Sequence, residues 1–167
     1  DQFHTVMTSG EALWRDLSHP DHQPSVFYPI EGKIGDATQW AQGLSVRMTD
    51  NLKDAEAILL MGLPDGAKQD DYRAILETAL AAELPLYCSN PDLTSPRGGG
   101  TYVLSPGALA VQYRDMGGVV HLYGKPHRPI FQAMQAALAC DAPRILMVGD
   151  SLHHDIKGAN DAGWDSL

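Results

Sequence analysis

Cysteine is scarce in this sequence, and long apolar runs are missing from it. The two cysteines, Cys88 and Cys140, lie far apart in ordinary surroundings. Two such residues cannot build a disulfide framework, and no signal peptide is visible, so we expect reduced thiols in a cytoplasmic protein. No apolar run approaches ~20 residues, so the sequence predicts no transmembrane helix and no membrane partner.

Positive charge is also in short supply. The chain has 12 Lys and Arg residues against 21 Asp and Glu residues, which gives a net charge of −9. No basic stripe offsets this balance, so we expect no nucleic-acid partner, because binding a phosphate backbone requires clustered Lys and Arg side chains. With 167 residues, of which 44% are hydrophobic, the chain is long enough to bury a real core.

Short β-like runs alternate with helical periods along the chain, which predicts an α/β fold with largely parallel strands. We predict strands at 3–7, 26–28, 45–48, 57–62, 85–88, 119–123 and 144–148. We predict a first helix that ends near Ser18, and five further helices at 36–42, 70–83, 105–115, 128–140 and 153–162. The first begins at the capping box Thr8-Ser9-Gly10-Glu11, and the fourth begins at Ser105-Pro106. The polar segment 19–24, with two prolines, is the best candidate for a crossing between domains.

Two aspartates follow the predicted strand at 144–148. Asp150 comes directly after Gly149, which allows a tight turn, and Asp155 falls in the first turn of the next helix. Ligands collect at the carboxyl ends of strands in open α/β sheets, and carboxylates, loop backbone and water are the donors that Mg²⁺ prefers. The pair therefore predicts a magnesium site. The alternative is that Asp150 forms a turn and Asp155 complements the helix dipole.

Lys125 follows another predicted strand through Gly124 and is held by Pro126. It precedes Asp150 by 25 residues, one strand–helix–strand unit, so both residues can reach the same sheet edge. A lysine at that edge can neutralise a phosphate or a carboxylate nucleophile. The alternative is a solvated surface lysine.

Other polar segments carry weaker signals. Asn90-Pro91-Asp92 follows a third strand but is also ordinary turn chemistry, and the glycine run at 98–100 lacks the spacing of nucleotide-binding loops. His153 and His154 are adjacent, so on a helix they point in different directions, and no H-E-x-x-H or C-x-x-C pattern supports zinc. No G-x-S-x-G elbow supports a serine hydrolase.

Together these segments resemble the haloacid dehalogenase (HAD) superfamily. The subclass they resemble is IIA, the p-nitrophenyl-phosphatase-like and sugar-phosphatase-like enzymes. The resemblance covers essentially the whole chain, less sharply over 22–56, and rests on segments in family order at 88–92, 107–113, 117–118, 124–126 and 149–163. It implies a Rossmann-like core, here residues 1–19 and 123–167, and an inserted α/β cap at 20–122 that covers the site and selects the substrate.

The resemblance also implies roles for five residues. Lys125 would steady the nucleophile and the phosphate, Asp150 would bind Mg²⁺, and Asp155 would support the metal directly or through a neighbour. Asn90 and Asp92 would face the substrate from the cap. The implied activity is a Mg²⁺-dependent phosphatase that acts on a small phosphorylated metabolite through an aspartyl-phosphate. The family often has Thr where this chain has His154, so hydrogen bonding around the metal is expected to differ.

One departure from the family is large. The family's nucleophile is the first aspartate of an Asp-x-Asp motif, and no two aspartates of this chain are two positions apart. The family's early Ser/Thr phosphate-binding motif is missing as well. We expect the chain to be a fragment, because it opens at Asp1-Gln2 directly before an apolar segment and closes just where a strand is predicted to begin after Gly163.

Three expectations follow from that departure. The chain alone should have essentially no phosphatase activity, and its exposed sheet edge should favour a homo-oligomer. A naturally truncated homologue that serves as a binding or regulatory module is the alternative function.

Two other families share the α/β pattern but do not fit. A nicotinamide-dependent dehydrogenase would need a glycine fingerprint after its first strand, but residues 3–10 contain a single glycine. A response-regulator receiver domain also has an acidic metal site and a lysine, but its lysine follows the phosphorylated aspartate, the reverse of the order here.

Overall fold

The computed structural model describes residues 3–22 and 24–167; the predicted opening at Asp1-Gln2, and Gln23 in the predicted crossing, lie outside the described residues. The α-helices are α1 (Ser9–Leu17), α2 (Asp36–Trp40), α3 (Arg73–Ala81), α4 (Pro106–Asp115), α5 (Arg128–Leu138) and α6 (Lys157–Asp161). The strands are β1 (Val26–Ile30), β2 (Arg47–Met48), β3 (Ala57–Leu60), β4 (Leu86–Cys88), β5 (Thr94–Pro96), β6 (Tyr102–Leu104), β7 (Val120–Leu122), β8 (Leu146–Met147) and β9 (Asp165–Ser166). A π-helical turn spans Leu152–Ile156, and short 3₁₀ turns lie at Leu52–Asp54, Gln69–Tyr72, Gly98–Gly100 and Ala142–Arg144.

Five strands form one parallel sheet in the order β2-β1-β3-β4-β7. The α/β fold with parallel strands is therefore confirmed. The central strand β3 is apolar and buried along its whole length, as expected for a parallel strand that is covered on both faces.

Two apolar clusters cover the two faces of this sheet. On one face Ile58 and Leu60 pack with residues of α3 and α4, namely Leu76, Ala79, Leu109, Ala110 and Tyr113. On the other face Leu59 packs with residues of α1 and α2, namely Ala12, Leu13, Leu17 and Ala37. Alternate residues of one strand thus enter opposite layers, which follows from the two-residue period of a strand.

A second parallel pair, β8–β9, lies outside the large sheet. The strand expected after Gly163 is therefore confirmed as β9. Helices α5 and α6 pack on this pair through a third cluster, made of Phe131, Ile145, Ala159 and Trp164 with partly buried neighbours. All strands of the large sheet lie within 26–122, yet α1 packs into the same cluster as that sheet. The division into core and cap stays a prediction.

Three sequence predictions are wrong in detail. No strand forms at 3–7, because no other described strand lies beside it to supply a hydrogen-bonding partner. The loop after β4 contains the antiparallel hairpin β5–β6, which pattern analysis missed because each strand has only three residues. The last helix begins with the π-helical turn instead of a regular α-helical turn.

The structure bears on the predictions about membrane helices and thiols. Within residues 3–22 and 24–167, no helix is both long and apolar enough to cross a bilayer. Cys88 and Cys140 are both free thiols.

Candidate active site

The register of the large sheet brings two of the predicted segments together. Cys88 pairs with Leu122, and the N–H of Tyr123 donates to the carbonyl oxygen of Cys88 at 3.1 Å. The chain therefore leaves β4 and β7 at the same level of the sheet. A Cβ added to Gly124 would lie 2.3 Å from Cδ of Pro91, so the loop after β7 can approach the loop after β4 only because residue 124 is glycine.

The Asn90-Pro91-Asp92 loop is held by its own hydrogen bonds. The Oδ1 atom of Asn90 accepts from the N–H of Asp92 at 3.0 Å, which is the turn chemistry that the sequence also allowed. The thiol of Cys88 donates to the carbonyl oxygen of Asn90 at 3.1 Å, and burial raises the pKa of that thiol to about 12. The carbonyl oxygen of Asp92 accepts from the N–H of Gly107 at 3.0 Å, which ties the loop to the start of α4.

Lys125 and Asp155 form an ion pair at the centre of the site, with 2.5 Å between Nζ and Oδ1. Asp155 is only 3% exposed, and its Oδ2 atom accepts from the N–H of Ser151 at 3.1 Å. The hydrogen bond from Lys125 lowers the pKa of Asp155, with help from the Ser151 N–H and against the effect of burial. A charged carboxylate is thus kept inside the protein by two donors, as buried charges require.

The turn between β8 and α6 is shaped around Asp155. A Cβ added to Gly149 would lie 2.4 Å from both Cβ and Cγ of Asp155, so the turn closes over this carboxylate only with glycine at 149. The Oγ atom of Ser151 accepts from the N–H of His154 at 3.1 Å and lies 2.9 Å from Nδ1 of the same residue. His154 therefore fixes the turn through both its backbone and its ring. π-Helical turns of this kind occur frequently at functional sites.

One open cavity of about 1490 Å³ is lined by all five predicted site residues, which are Asn90, Asp92, Lys125, Asp150 and Asp155. Asp150 is exposed in it, in contrast to Asp155. The prediction that Lys125 and Asp150 reach the cavity from the same sheet edge is wrong. Lys125 follows β7 of the large sheet and Asp150 follows β8 of the separate pair, so the two residues do not share a sheet edge. The glycine run at 98–100 forms the tip of the β5–β6 hairpin and does not line the cavity.

The donor set of the cavity fits a magnesium ion. Among the described residues no group of three or more His, Cys, Asp and Glu side chains is arranged to hold a metal, but four carboxylates line the cavity, those of Asp92, Asp150, Asp155 and Asp161. Mg²⁺ in phosphate-processing sites is bound through one or two carboxylates, with water and substrate phosphate as its other ligands. Asp155 is buried and both of its oxygens accept hydrogen bonds, so the exposed Asp150 is the more accessible of these two carboxylates for a metal.

Sequence analysis missed several residues that line the cavity. They are Thr8, Ser9, Arg114, His127, Arg128, Lys157 and Asp161. The capping box marks Thr8 and Ser9 as a helix start but not as site residues, and the other five are ordinary polar residues at or next to helix ends. Only the convergence of α1, α4, α5 and α6 around one cavity brings them together, and that convergence depends on tertiary packing.

Comparison with known proteins places this site in a family. A model of HAD-hydrolase-like proteins matches residues 122–167, the segment that carries Lys125, Asp150 and Asp155. A haloacid dehalogenase-like hydrolase from Brucella suis 1330 is 32% identical, with a TM-score of 0.82 over 97% of this chain. No protein of curated function matches the chain.

Two further solved structures share the fold. A glycerol phosphate phosphatase from Mycobacterium tuberculosis, solved in complex with magnesium, is 26% identical with a TM-score of 0.74 over 97% of this chain. A p-nitrophenyl phosphatase from Archaeoglobus fulgidus is 20% identical with a TM-score of 0.75 over 95% of this chain. The chain spans 62% of the Brucella protein, 48% of the Mycobacterium protein and 59% of the Archaeoglobus protein. Residues 122–167 therefore match the HAD-hydrolase-like family, and the chain as a whole resembles the haloacid dehalogenase-like hydrolase from Brucella suis 1330 in fold and sequence.

Proposed function

We propose that the whole protein is a Mg²⁺-dependent phosphatase that acts on a small phosphorylated metabolite through an aspartyl-phosphate, and that this chain contributes the cavity described above to its active site. The observation that carries this proposal is the Lys125–Asp155 ion pair beside the exposed Asp150, in a cavity bordered by the Asn90-Pro91-Asp92 loop. A fixed cation, a free carboxylate and room for a ligand are what a phosphoryl-transfer site requires.

Each side chain has a definite task in this proposal. Lys125 places a positive charge where phosphate oxygens bind, and Asp155 holds the ammonium group in position from a buried site. Asp150 offers its carboxylate to Mg²⁺, which when bound supplies positive charge that offsets the charge of the transferred phosphoryl group. Asn90 and Asp92 face the rest of the substrate from the loop after β4.

Metal and phosphate binding by the 167-residue chain test this proposal directly. We expect calorimetry to detect Mg²⁺ binding that Asp150→Asn abolishes. Lys125→Met should weaken the binding of inorganic phosphate in the presence of Mg²⁺ by at least about tenfold, since it removes the cation of the site. Lys33→Met changes an exposed lysine outside the cavity and serves as the matched control. Unaltered phosphate affinity in Lys125→Met would contradict the proposal.

Turnover by this chain is a separate matter. Since no Asp-x-Asp pair is present, we propose that the chain by itself does not hydrolyse p-nitrophenyl phosphate. Mg²⁺-dependent hydrolysis that is proportional to protein and lost in Asp150→Ala would overturn this statement.

The missing Asp-x-Asp pair also favours a second candidate, a non-catalytic homologue that binds ligands or regulates a partner. The coding sequence upstream of Asp1 separates the two candidates. An in-frame Asp-x-Asp about one core segment before Asp1 supports the phosphatase, and its absence supports the binding module.

We propose in addition that the protein is cytoplasmic, that residues 20–122 act as the cap, and that the chain self-associates. Self-association is supported by the exposed apolar side chains around β8 and β9, namely Leu146, Val148, Leu152 and Leu167. Sedimentation at high protein concentration checks it, and a monomer would count against it.

A further inference from the structure

Basic side chains at or next to the ends of three helices line the cavity. Arg114 lies in the last turn of α4, His127 directly precedes α5, and Lys157 is the first residue of α6. All three line the cavity. We call these three residues the cationic rim. Lys125, which is assigned to the phosphate, is not part of it.

Packing between helices holds the rim together. A Cβ added to Gly158, the neighbour of Lys157, would lie 3.1 Å from Cα of Pro126, the neighbour of His127. The first turns of α5 and α6 are therefore in direct contact. No side chain caps α5 at His127, so its free N–H groups add partial positive charge on this side.

The groups that act on His127 are all basic. Burial lowers the pKa of His127, and His153, Arg114, Lys157 and His154 lower it further, so the neutral imidazole is favoured and Arg114 and Lys157 carry the positive charge of the rim. No carboxylate is among the groups that shift it. Lys157 does pair with Asp161, and Nε of Arg114 lies 3.8 Å from an Asp115 oxygen, but both of these pairs are exposed.

This balance is unusual for so acidic a chain. Four Lys and Arg side chains and four Asp side chains line the cavity, so the net charge of −9 lies entirely outside it. A concave region with more positive potential than its surroundings attracts and concentrates anions. A single phosphate bound at Lys125 and Mg²⁺ would leave the rim without an anionic ligand, and its existing ion pairs with Asp161 and Asp115 are exposed.

We infer that the cationic rim binds a second anionic group, so that the substrate is a small phosphate ester that also carries a carboxylate or a second phosphate. This inference rests on the proposed phosphatase function and specifies its substrate class. Lys125 and Asp150 receive the phosphate that is removed, while Arg114, His127 and Lys157 bind the distant anion and orient the molecule.

Two matched pairs of ligands test the inference by calorimetry on the 167-residue chain with Mg²⁺ present. Glycerol 3-phosphate and 3-phosphoglycerate differ in the carboxylate, and ribose 5-phosphate and ribose 1,5-bisphosphate differ in the second phosphate. We expect the doubly anionic member of at least one pair to bind about tenfold more tightly, since charge-assisted hydrogen bonds are the strong ones. The pair with the larger ratio identifies the second anion.

Variants locate the effect within the cavity. Arg114→Gln and Lys157→Gln should each reduce the affinity for the preferred doubly anionic ligand by about tenfold and leave its singly anionic partner within about twofold. Arg73→Gln removes an exposed charge on α3 outside the cavity and should change neither affinity. Both rim positions are exposed, so these variants are expected to fold.

The outcomes separate this inference from the proposed function. The inference about the rim is wrong if the two ligands of each pair bind with equal affinity, or if Arg114→Gln weakens the binding of the singly and the doubly anionic ligand equally. In that case the proposed function stands if Lys125→Met still weakens glycerol 3-phosphate binding. If neither pair nor inorganic phosphate binds to the wild-type chain, both proposals fail.

Discussion

The large parallel sheet and the β8–β9 pair have the same strand direction but differ in how well they are covered. In the large sheet β3 is buried throughout, between α1 and α2 on one side and α3 and α4 on the other. Around β8, by contrast, Leu146 is 56% exposed and Val148 is 67% exposed. Yet Lys125, Asp150 and Asp155 all belong to the segment that contains the less covered pair.

The large sheet therefore provides the stable framework, and the segment 123–167 provides most of the charged side chains of the site. The large sheet is stabilised by apolar area, and it fixes where the loops after β4 and β7 begin. The segment 123–167 stabilises one buried charge, Asp155, through an ion pair and a backbone N–H. Substitutions should therefore affect the two regions through different mechanisms: lost apolar contacts in the sheet, and local crowding or lost polar contacts at the site.

The largest effect is expected in the middle of the sheet. Leu59→Ala removes a fully buried side chain and should lower the free energy of unfolding by about 3 kcal/mol. Leu146→Ala on β8 is the matched change in the other region and should cost below about 1 kcal/mol. Urea unfolding of both variants measures the contrast, and equal losses would remove the distinction between the two regions.

A large effect in the less covered region requires crowding. Gly149→Ala would place Cβ against the Asp155 carboxyl group, so we expect a loss of about 2 kcal/mol in stability together with weaker Mg²⁺ binding. Gly98→Ala is the control, because a Cβ at that position of the hairpin tip meets no atom within 4 Å. Unaltered stability and Mg²⁺ affinity in Gly149→Ala would show that the turn does not depend on close contact with Asp155.

The end of β4 should respond to pH. Burial raises the pKa of Cys88 from 9.0 to about 12, so above pH 9 the unfolded chain loses this proton while the folded chain keeps it. Stability then falls as pH rises, by at most about 1.4 kcal/mol for each pH unit. Between pH 8 and pH 10 the wild type should lose about 1.4 kcal/mol more than Cys88→Ala in urea unfolding. Parallel losses in the two proteins would refute this assignment.

The smallest effect concerns the start of α1. Oγ1 of Thr8 accepts from the N–H of Glu11 at 3.0 Å, so Thr8→Ala should cost about 1 kcal/mol. Thr8→Ser keeps the acceptor and should cost less. Thermal unfolding of the two variants measures the cap, and identical losses would indicate that the methyl group matters and the hydrogen bond does not.

Short-range sequence patterns predict much of the fold. The Thr8 cap and the Pro106 helix start follow from local chemistry, and both occur as predicted. Local patterns do not predict a side chain's hydrogen bond when its partner comes from a distant part of the chain. Ser105 directly precedes α4, as expected, but its hydroxyl does not cap the helix. It forms a hydrogen bond with the hydroxyl of Ser95 in the β5–β6 hairpin, with 2.5 Å between the two oxygens.

The site was predictable to a similar degree. Residue types and order were enough to bring Asn90, Asp92, Lys125, Asp150 and Asp155 into one prediction, and all five line one cavity. The sequence could not indicate that both oxygens of Asp155 are occupied by hydrogen bonds while Asp150 stays exposed. That distinction depends on how the turn at Gly149 folds over Asp155, which is a matter of contact distances and not of spacing.

The register between β4 and β7 has a consequence for how sequences of this kind can change in evolution. Cys88 lies opposite Leu122, and from there two residues lead to Asn90 and three lead to Lys125. Adding or deleting one residue in either stretch would shift the functional side chain by one position along the loop, at most ~3.8 Å, and so move it out of its place beside the cavity. Insertions should therefore be rejected in these two short stretches and accepted at the hairpin tip 98–100, so both the chain length and the glycine at 124 are constrained here.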